Sequence, residues 1–136
     1  MIERLTLVAV DDDHERYRYL SERLDLHAVD VWCSDVPSAV LQRIKRRDVI
    51  GVFLDHDMPR WLGPQFVPHL PEGMPVCVSS ANRAGAKAIA SKLTEYRRPH
   101  VVMSAIDPSP EERWLGWALD LVWRHRIKMD AAEATK

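Results

Sequence analysis

Two segments of the chain are apolar almost without interruption, and both run directly into acid. Leu5–Val10 is followed by Asp11, Asp12 and Asp13, and Val49–Leu54 by Asp55 and Asp57. Runs of this length suit strands buried on both faces. Between them Tyr17, Leu20 and Leu24 recur at helical spacing, so a first helix is predicted from Asp13 or His14, where an aspartate can cap the first turn. Ala28–Trp32 alternates, with Asp30 between Val29 and Val31, as a half-exposed edge strand does. A second helix is predicted from Asp35, with Pro37 in its first turn and Val36, Val40 and Ile44 as its apolar positions. It ends in the basic cluster Arg43, Lys45, Arg46 and Arg47, read as a solvated end favoured by the helix dipole.

The second half repeats the pattern. A proline-rich loop and a short helix are expected around Trp61–Leu70, and Val76–Val78 is a short buried strand closing on Ser79 and Ser80. Ala86, Ile89, Ala90 and Leu93 give the next helix one apolar face. Val101–Met103 is the last strand. Ser109-Pro110-Glu111-Glu112 then reads as a helix start, with serine at the N-cap, proline at N1 and glutamate at N3. The helix that follows carries Trp114, Leu115, Trp117, Leu119, Leu121, Val122 and Trp123. One domain is expected over 1–127, with a polar, fraying tail over 128–136.

Strand and helix therefore alternate along the whole chain, which implies a mainly parallel sheet with helices on both faces. Right-handed crossovers and the flavodoxin-like strand order 2-1-3-4-5 set the first and third strands side by side. Sheets of this kind bind ligands beyond the carboxyl ends of their strands, at the point where the order reverses. Asp11 and Asp12 end the first strand, Asp55 ends the third, and Ser79 and Ser80 end the fourth.

Composition narrows the partners. With 136 residues, 46% apolar and 29% charged, the chain fits one globular domain. A formal net charge of −1 gives no bulk attraction to nucleic acid or anionic membrane. No apolar run is long enough to span a bilayer and no signal-peptide pattern opens the sequence, so a cytoplasmic location is expected. Cys33 and Cys77 sit inside apolar runs and read as buried thiols.

The acids carry the chemistry. Three carboxylates converging on one crevice repel one another unless a cation intervenes. Hard oxygen ligands of this kind suit Mg²⁺ or Mn²⁺, and a site with few protein ligands keeps coordination positions for a phosphate. Ser80 can donate to that phosphate, while Asn82 can orient it or a sugar hydroxyl, or cap the helix that follows. The plainer reading is that Asp11–Asp13 cap a helix and Asp55 and Asp57 fill a turn; the two clusters at the ends of neighbouring strands favour the metal site. His56, beside Asp55, is a candidate proton shuttle or a structural residue. Gly85 permits close backbone approach at the start of the fourth helix, where free N–H groups can also hold an anion. Trp114, Trp117 and Trp123 spread too widely around the last helix to share one face; two are expected to be buried and one exposed at a surface for a protein partner.

Val-Asp-Asp-Asp at 10–13, Leu-Asp-His-Asp-Met-Pro at 54–59 and Ser-Ala at 80–81 resemble a response-regulator receiver domain, over almost the whole chain to about Arg126. The resemblance implies that Asp11 and Asp12 hold Mg²⁺, that Asp55 accepts a phosphoryl group, that Asp57 offers its backbone carbonyl to the metal, and that Ser80 is the switch hydroxyl. One feature departs. Receivers carry a lysine at the end of the fifth strand, and this chain reads His100-Val101-Val102-Met103-Ser104-Ala105. Without that cation a phosphoaspartate at Asp55 is expected to be less stable.

Leu54-Asp55-His56-Asp57 followed by Ser80-Ala81-Asn82 and Gly85 is also similar to the cyclic-phosphate-processing receiver-like domains. Ser79 stands where that family has histidine, and Met58 replaces leucine. This resemblance implies Mg²⁺-dependent binding, with or without hydrolysis, of a cyclic phosphate on a nucleotide or RNA end. Its site set is Asp11, Asp12, Asp55 and Asp57 for metal, Asp55, His56 and Ser80 for chemistry, and Ser79, Ser80, Asn82 and Gly85 for phosphate. The histidine lost at Ser79 removes a general acid or base. Two further readings compete with it: a phosphoacceptor of two-component signalling, and a non-catalytic receiver-like module that binds a protein through its last helix.

Overall fold

A computed structural model describes residues 3–58, 61, 63–104 and 110–135. Its strands are β1 (Leu5–Val10), β2 (Val29–Ser34), β3 (Val49–Leu54), β4 (Val76–Val78) and β5 (His100–Val102). Helix α1 (Arg18–Asp25) is entered through a 3-10 turn at His14–Tyr17. It is followed in the chain by α2 (Pro37–Arg43), α3 (Gly63–Phe66) with a 3-10 turn at Val67–His69, α4 (Arg83–Glu95) and α5 (Pro110–Ala134). Every strand pair is parallel, and the order is β2-β1-β3-β4-β5. The sheet expected from the alternation of patterns is the sheet that forms.

The two continuous apolar runs are buried because they lie between two cores. Successive residues of a strand point to opposite faces. Val8, Val10, Val52, Leu54, Val76 and Val78 therefore meet Val40, Ile44, Phe66, Ile89 and Leu93 on one side. Leu7, Ala9, Phe53 and Cys77, joined by Ile50 across the register shift before Gly51, meet Tyr17, Leu20, Leu24, Trp114, Ala118 and Val122 on the other. Burying each large aliphatic or aromatic side chain contributes about 1.5–3 kcal/mol, which anchors β1 and β3 at the centre of the sheet. The outer strand β2 is mostly half-buried, as its alternating pattern implied.

Register then positions the acids. Val10 pairs with Leu54, and Leu54 with Val78. The ladder continues one residue further: the Asp55 N–H donates to the Val10 carbonyl at 3.1 Å, and the Ser79 N–H to the Leu54 carbonyl at 3.1 Å. Asp11, Asp55 and Ser79 consequently stand level on the carboxyl edge of three adjacent strands.

Several boundaries differ from the sequence reading. β2 begins at Val29 and extends to Ser34, because Ala28 adopts a left-handed turn conformation with φ 60°. β5 covers His100–Val102, although the Met103 N–H still donates to the Val78 carbonyl. α2 starts at Pro37, two residues after Asp35, and the Ser34 hydroxyl accepts from the Val36 N–H to close its entry. α5 passes Lys128, where a tail was expected, and stays helical to Ala134 with its last residues exposed. Ala131, Ala132 and Ala134 are strong helix formers, and no glycine or proline interrupts the helix after Gly116. The Ser109 cap, Pro59 of the acidic loop and Leu62 of the expected short helix lie outside the described residues.

Trp114 is 1% exposed and Trp123 67%, with Trp117 half-buried against the core. Of the two tryptophans expected to be buried only Trp114 is fully so, while Trp123 is the exposed one. Both cysteines are free, and burial pushes the Cys33 thiol up to about 12, an unreactive state. Among the described residues no helix is long and apolar enough to cross a membrane.

Candidate functional site

Asp11 leaves β1 fully buried, Asp55 leaves β3 with 5% exposure, and Asp12 projects into solvent beside them. One carboxylate oxygen from each lies within 4.8 Å of the others. This convergence follows from the register and from the adjacency of β1 and β3. Burial and, less strongly, the charge of Asp55 raise the pKa of Asp11 to about 6 against the opposing effects of the Asp13 N–H, Tyr17 and Arg16. Burial also raises Asp55, against the favourable effects of Arg16, the His56 N–H and the Ser80 hydroxyl. The donors are hard oxygens, two of them hold charge in a desolvated place, and the third faces water. That set fits a small divalent cation.

Two residues that the sequence reading did not single out complete the pocket. Arg16, on the 3-10 turn, places Nη1 2.7 Å from Asp11 Oδ2 and 3.8 Å from Asp55 Oδ1. Its Nη2 lies 3.9 Å from Asp13 Oδ2. Tyr17, 2% exposed, donates its hydroxyl to Asp11 Oδ2 at 2.8 Å. Its proton is then committed, so the Ser79 hydroxyl donates to the phenol oxygen at 2.9 Å. The Tyr17 ring is held by Phe53 and by a stacked Trp114, whose Nε1 donates to the Met103 carbonyl at 2.8 Å. From the sequence Tyr17 reads only as an apolar position of the first helix, and Arg16 is given no role.

The remaining expected residues form a second, more exposed group. Asp57 does not enter the carboxylate cluster. Its side chain bonds His56 Nδ1 and accepts from Asn82 Nδ2 at 2.9 Å, and these bonds hold its pKa below the usual range. Asn82 Oδ1 accepts from the Gly85 N–H at 2.9 Å, so Asn82 caps α4. Ser80 is buried; its hydroxyl accepts from the Asn82 N–H at 3.1 Å, and its carbonyl accepts from Ser104 Oγ at 3.0 Å. Gly85 fits closely against His56: a Cβ there would overlap the imidazole ring. Gly63 is equally constrained, since a Cβ would overlap the Asp55 carbonyl oxygen. At the end of β5 stand Met103 and Ser104, and a cation beside Asp55 comes instead from Arg16.

No family model matches the sequence, and no curated protein matches it. Solved structures do. The N-terminal domain of an uncharacterized protein from Wolinella succinogenes superimposes with a TM-score of 0.71 at 18% identity, over 91% of this chain and 98% of that one. A response regulator receiver protein from Pseudomonas putida gives 0.62 at 17% identity, over 91% and 99%. The fold is that of response-regulator receiver domains. A CheY-like receiver domain protein from Methanospirillum hungatei JF-1 covers 98% of this chain and 100% of its own, with a TM-score of 0.60 at 14% identity. The acidic triad Asp11, Asp12 and Asp55 lies at the carboxyl end of this receiver fold, beyond the switch point between β1 and β3.

Proposed function

We propose that the chain is a signalling receiver in which Asp55 accepts a phosphoryl group. The observation that carries this reading is the convergence of Asp11, Asp12 and Asp55 within 4.8 Å on a receiver fold, with the Ser80 hydroxyl beside Asp55. Asp11, Asp12 and Asp55 would hold a divalent cation of the Mg²⁺ class, which when bound neutralises charge on phosphoryl oxygens. An Asp55 carboxylate oxygen attacks phosphorus, and the bond from phosphorus to the donor's leaving group breaks, its electron pair departing with that group. Arg16 supplies positive charge close to Asp55, a role for which β5 offers no lysine. Ser80 is the residue that reports the change. It touches the acceptor, the N-cap of α4 through Asn82, and the segment after β5 through Ser104. A new hydrogen bond from Ser80 to a phosphoryl oxygen would pull on both.

The cyclic-phosphate reading has less support in the geometry. Ser79 is fully buried and committed to Tyr17, so it lines no open pocket. Asn82 spends its carbonyl on the Gly85 N–H and its amide on Asp57. One experiment separates the two. The protein is incubated in Mg²⁺ with acetyl phosphate or with 2′,3′-cyclic nucleotides, followed by intact-protein mass spectrometry and phosphorus NMR. Gain of one phosphoryl group from acetyl phosphate, with cyclic nucleotides untouched, is the expected result. Ring opening of a cyclic nucleotide without any phosphoprotein would overturn the receiver reading.

A further inference from the structure

The Arg16 side chain sets a protein cation among the acids that would hold the metal. Its guanidinium bridges acids from two strands: Asp11 at 2.7 Å, Asp55 at 3.8 Å and, from the turn itself, Asp13 at 3.9 Å. Asp11 is left with little to offer. Oδ1 accepts from the Asp13 N–H at 3.0 Å, and Oδ2 accepts from both Tyr17 and Arg16. A carboxylate has about four acceptor positions and three of these are filled, which leaves one, on Oδ1. Of the three partners, the one that can leave without breaking the fold is the arginine. The Asp13 N–H is a backbone group at the head of the turn, and Tyr17 is fixed in the aromatic cluster. Arg16, by contrast, reaches the pocket from a surface turn on a long side chain that is 23% exposed.

We infer that Arg16 is a resident counterion of the pocket, which neutralises Asp11 and Asp55 in the absence of metal and must withdraw from Asp11 for a divalent cation to enter. The inference rests on the Mg²⁺-binding reading above. A cation within reach of Asp11, Asp12 and Asp55 lies close to the guanidinium, and like charges at such separations repel strongly in a desolvated site. The pocket thus has two fillings, arginine or metal. Exchange between them needs only a side-chain rotation, because the turn is anchored independently by the Asp13 side chain, which accepts from the Arg16 N–H. Once withdrawn from Asp11, the guanidinium remains beside Asp55, where it can pair with a phosphoryl group through its planar fork. Arg16 is therefore a positioning residue that sets how much metal the site demands.

Isothermal calorimetry of Mg²⁺ binding to the full chain tests this, with Arg16→Gln and Arg16→Lys beside the wild type. Arg16→Gln should bind Mg²⁺ about tenfold more tightly, within the range of roughly 5- to 150-fold usual for coupled sites. It should also lose thermal stability in chelator, while Arg16→Lys stays near the wild type in affinity. Independently of any variant, the wild-type Arg16 Nη–H resonances should be shifted and slow to exchange without metal and should lose that protection on titration with Mg²⁺. Equal or weaker Mg²⁺ binding by Arg16→Gln, or an Arg16 resonance that Mg²⁺ leaves unmoved while the cation binds, would overturn the counterion role and leave the metal reading intact. Absence of Mg²⁺ binding in all three proteins would overturn both.

Discussion

Tyr17→Phe removes one oxygen atom from the interior, and the structure fixes what that oxygen does. It donates to a buried charge, Asp11 Oδ2, at 2.8 Å, and accepts from the Ser79 hydroxyl at 2.9 Å. The phenylalanine ring keeps its packing against Phe53 and Trp114, so the core changes little. A hydrogen bond to a charged group is worth about 1.5–3 kcal/mol, and an orphaned buried hydroxyl costs about 1–3 kcal/mol. The two terms share one atom and do not add fully, since Asp11 retains Arg16 and the Asp13 N–H. A loss of about 3 kcal/mol is expected. At roughly 3–4 °C per kcal/mol for a domain of this size, the melting temperature should fall by about 10 °C. Denaturant unfolding of Tyr17→Phe, Ser79→Ala and the double variant checks the mechanism. In the double variant no hydroxyl is stranded, so the second substitution should be nearly neutral, with a coupling of about 1 kcal/mol or more. A loss below about 0.5 kcal/mol for Tyr17→Phe, or strict additivity, would refute the relay from Ser79 through Tyr17 to Asp11.

Asp55→Asn removes a buried charge whose pKa is already raised by desolvation, and in chelator it should melt higher than the wild type. The same variant should respond less to Mg²⁺ in a thermal-shift assay; an equal response would remove Asp55 from the metal site. Gly85→Ala drives a Cβ into the His56 ring and should cost about 1–3 kcal/mol by thermal unfolding, with the His56 ring resonances moving as the imidazole is pushed away from Asp57. Unmoved His56 resonances at full stability would show the niche to be looser than described. At the opposite edge of the sheet, hydrogen bonds from Arg43 and Thr6 lower Asp48 to about 2. Its folded pKa lies below the unfolded value of 3.8, so its stabilisation is present above about pH 4 and is lost as pH falls through 2. Arg43→Ala should abolish that part of the acid transition, at most about 2 kcal/mol in unfolding titrations between about pH 5 and 2; an unchanged titration would discard the pair as a source of stability.

The sequence made the centre of the sheet readable and its margins less so. Leu5–Val10 and Val49–Leu54 are buried on both faces, so their apolar continuity marks both ends of each strand, and the acids that follow fall at the same edge. β2 and β5 are bounded by turn geometry instead, by the left-handed Ala28 and by Pro99 before His100, and their ends shift by one or two residues. The fold of α5 beyond Lys128 depends on helix propensity and not on burial, which a polar composition concealed. At the site, Asp11, Asp12 and Asp55 were legible because strand order alone brings them together. Arg16 and Tyr17 were not, since their roles depend on a single 3-10 turn that rotates both side chains back over Asp11. The absence of a lysine at the end of β5 was visible in the sequence; the approach of Arg16 to 3.8 Å from Asp55 was not. Asn82, for which cap and ligand contact both stood open, caps α4 and ties Asp57.

The central claim is that the phosphoryl group enters at Asp55 and depends on the acidic triad. The most direct measurement is acetyl phosphate labelling followed by borohydride reduction and tandem mass spectrometry, which converts an acyl phosphate to an alcohol at the residue that carried it. Labelling should map to Asp55 alone, require Mg²⁺ or Mn²⁺, and disappear in Asp55→Asn. Labelling at Asp11, Asp12 or Asp57 instead, or no labelling in saturating Mg²⁺, would contradict the account.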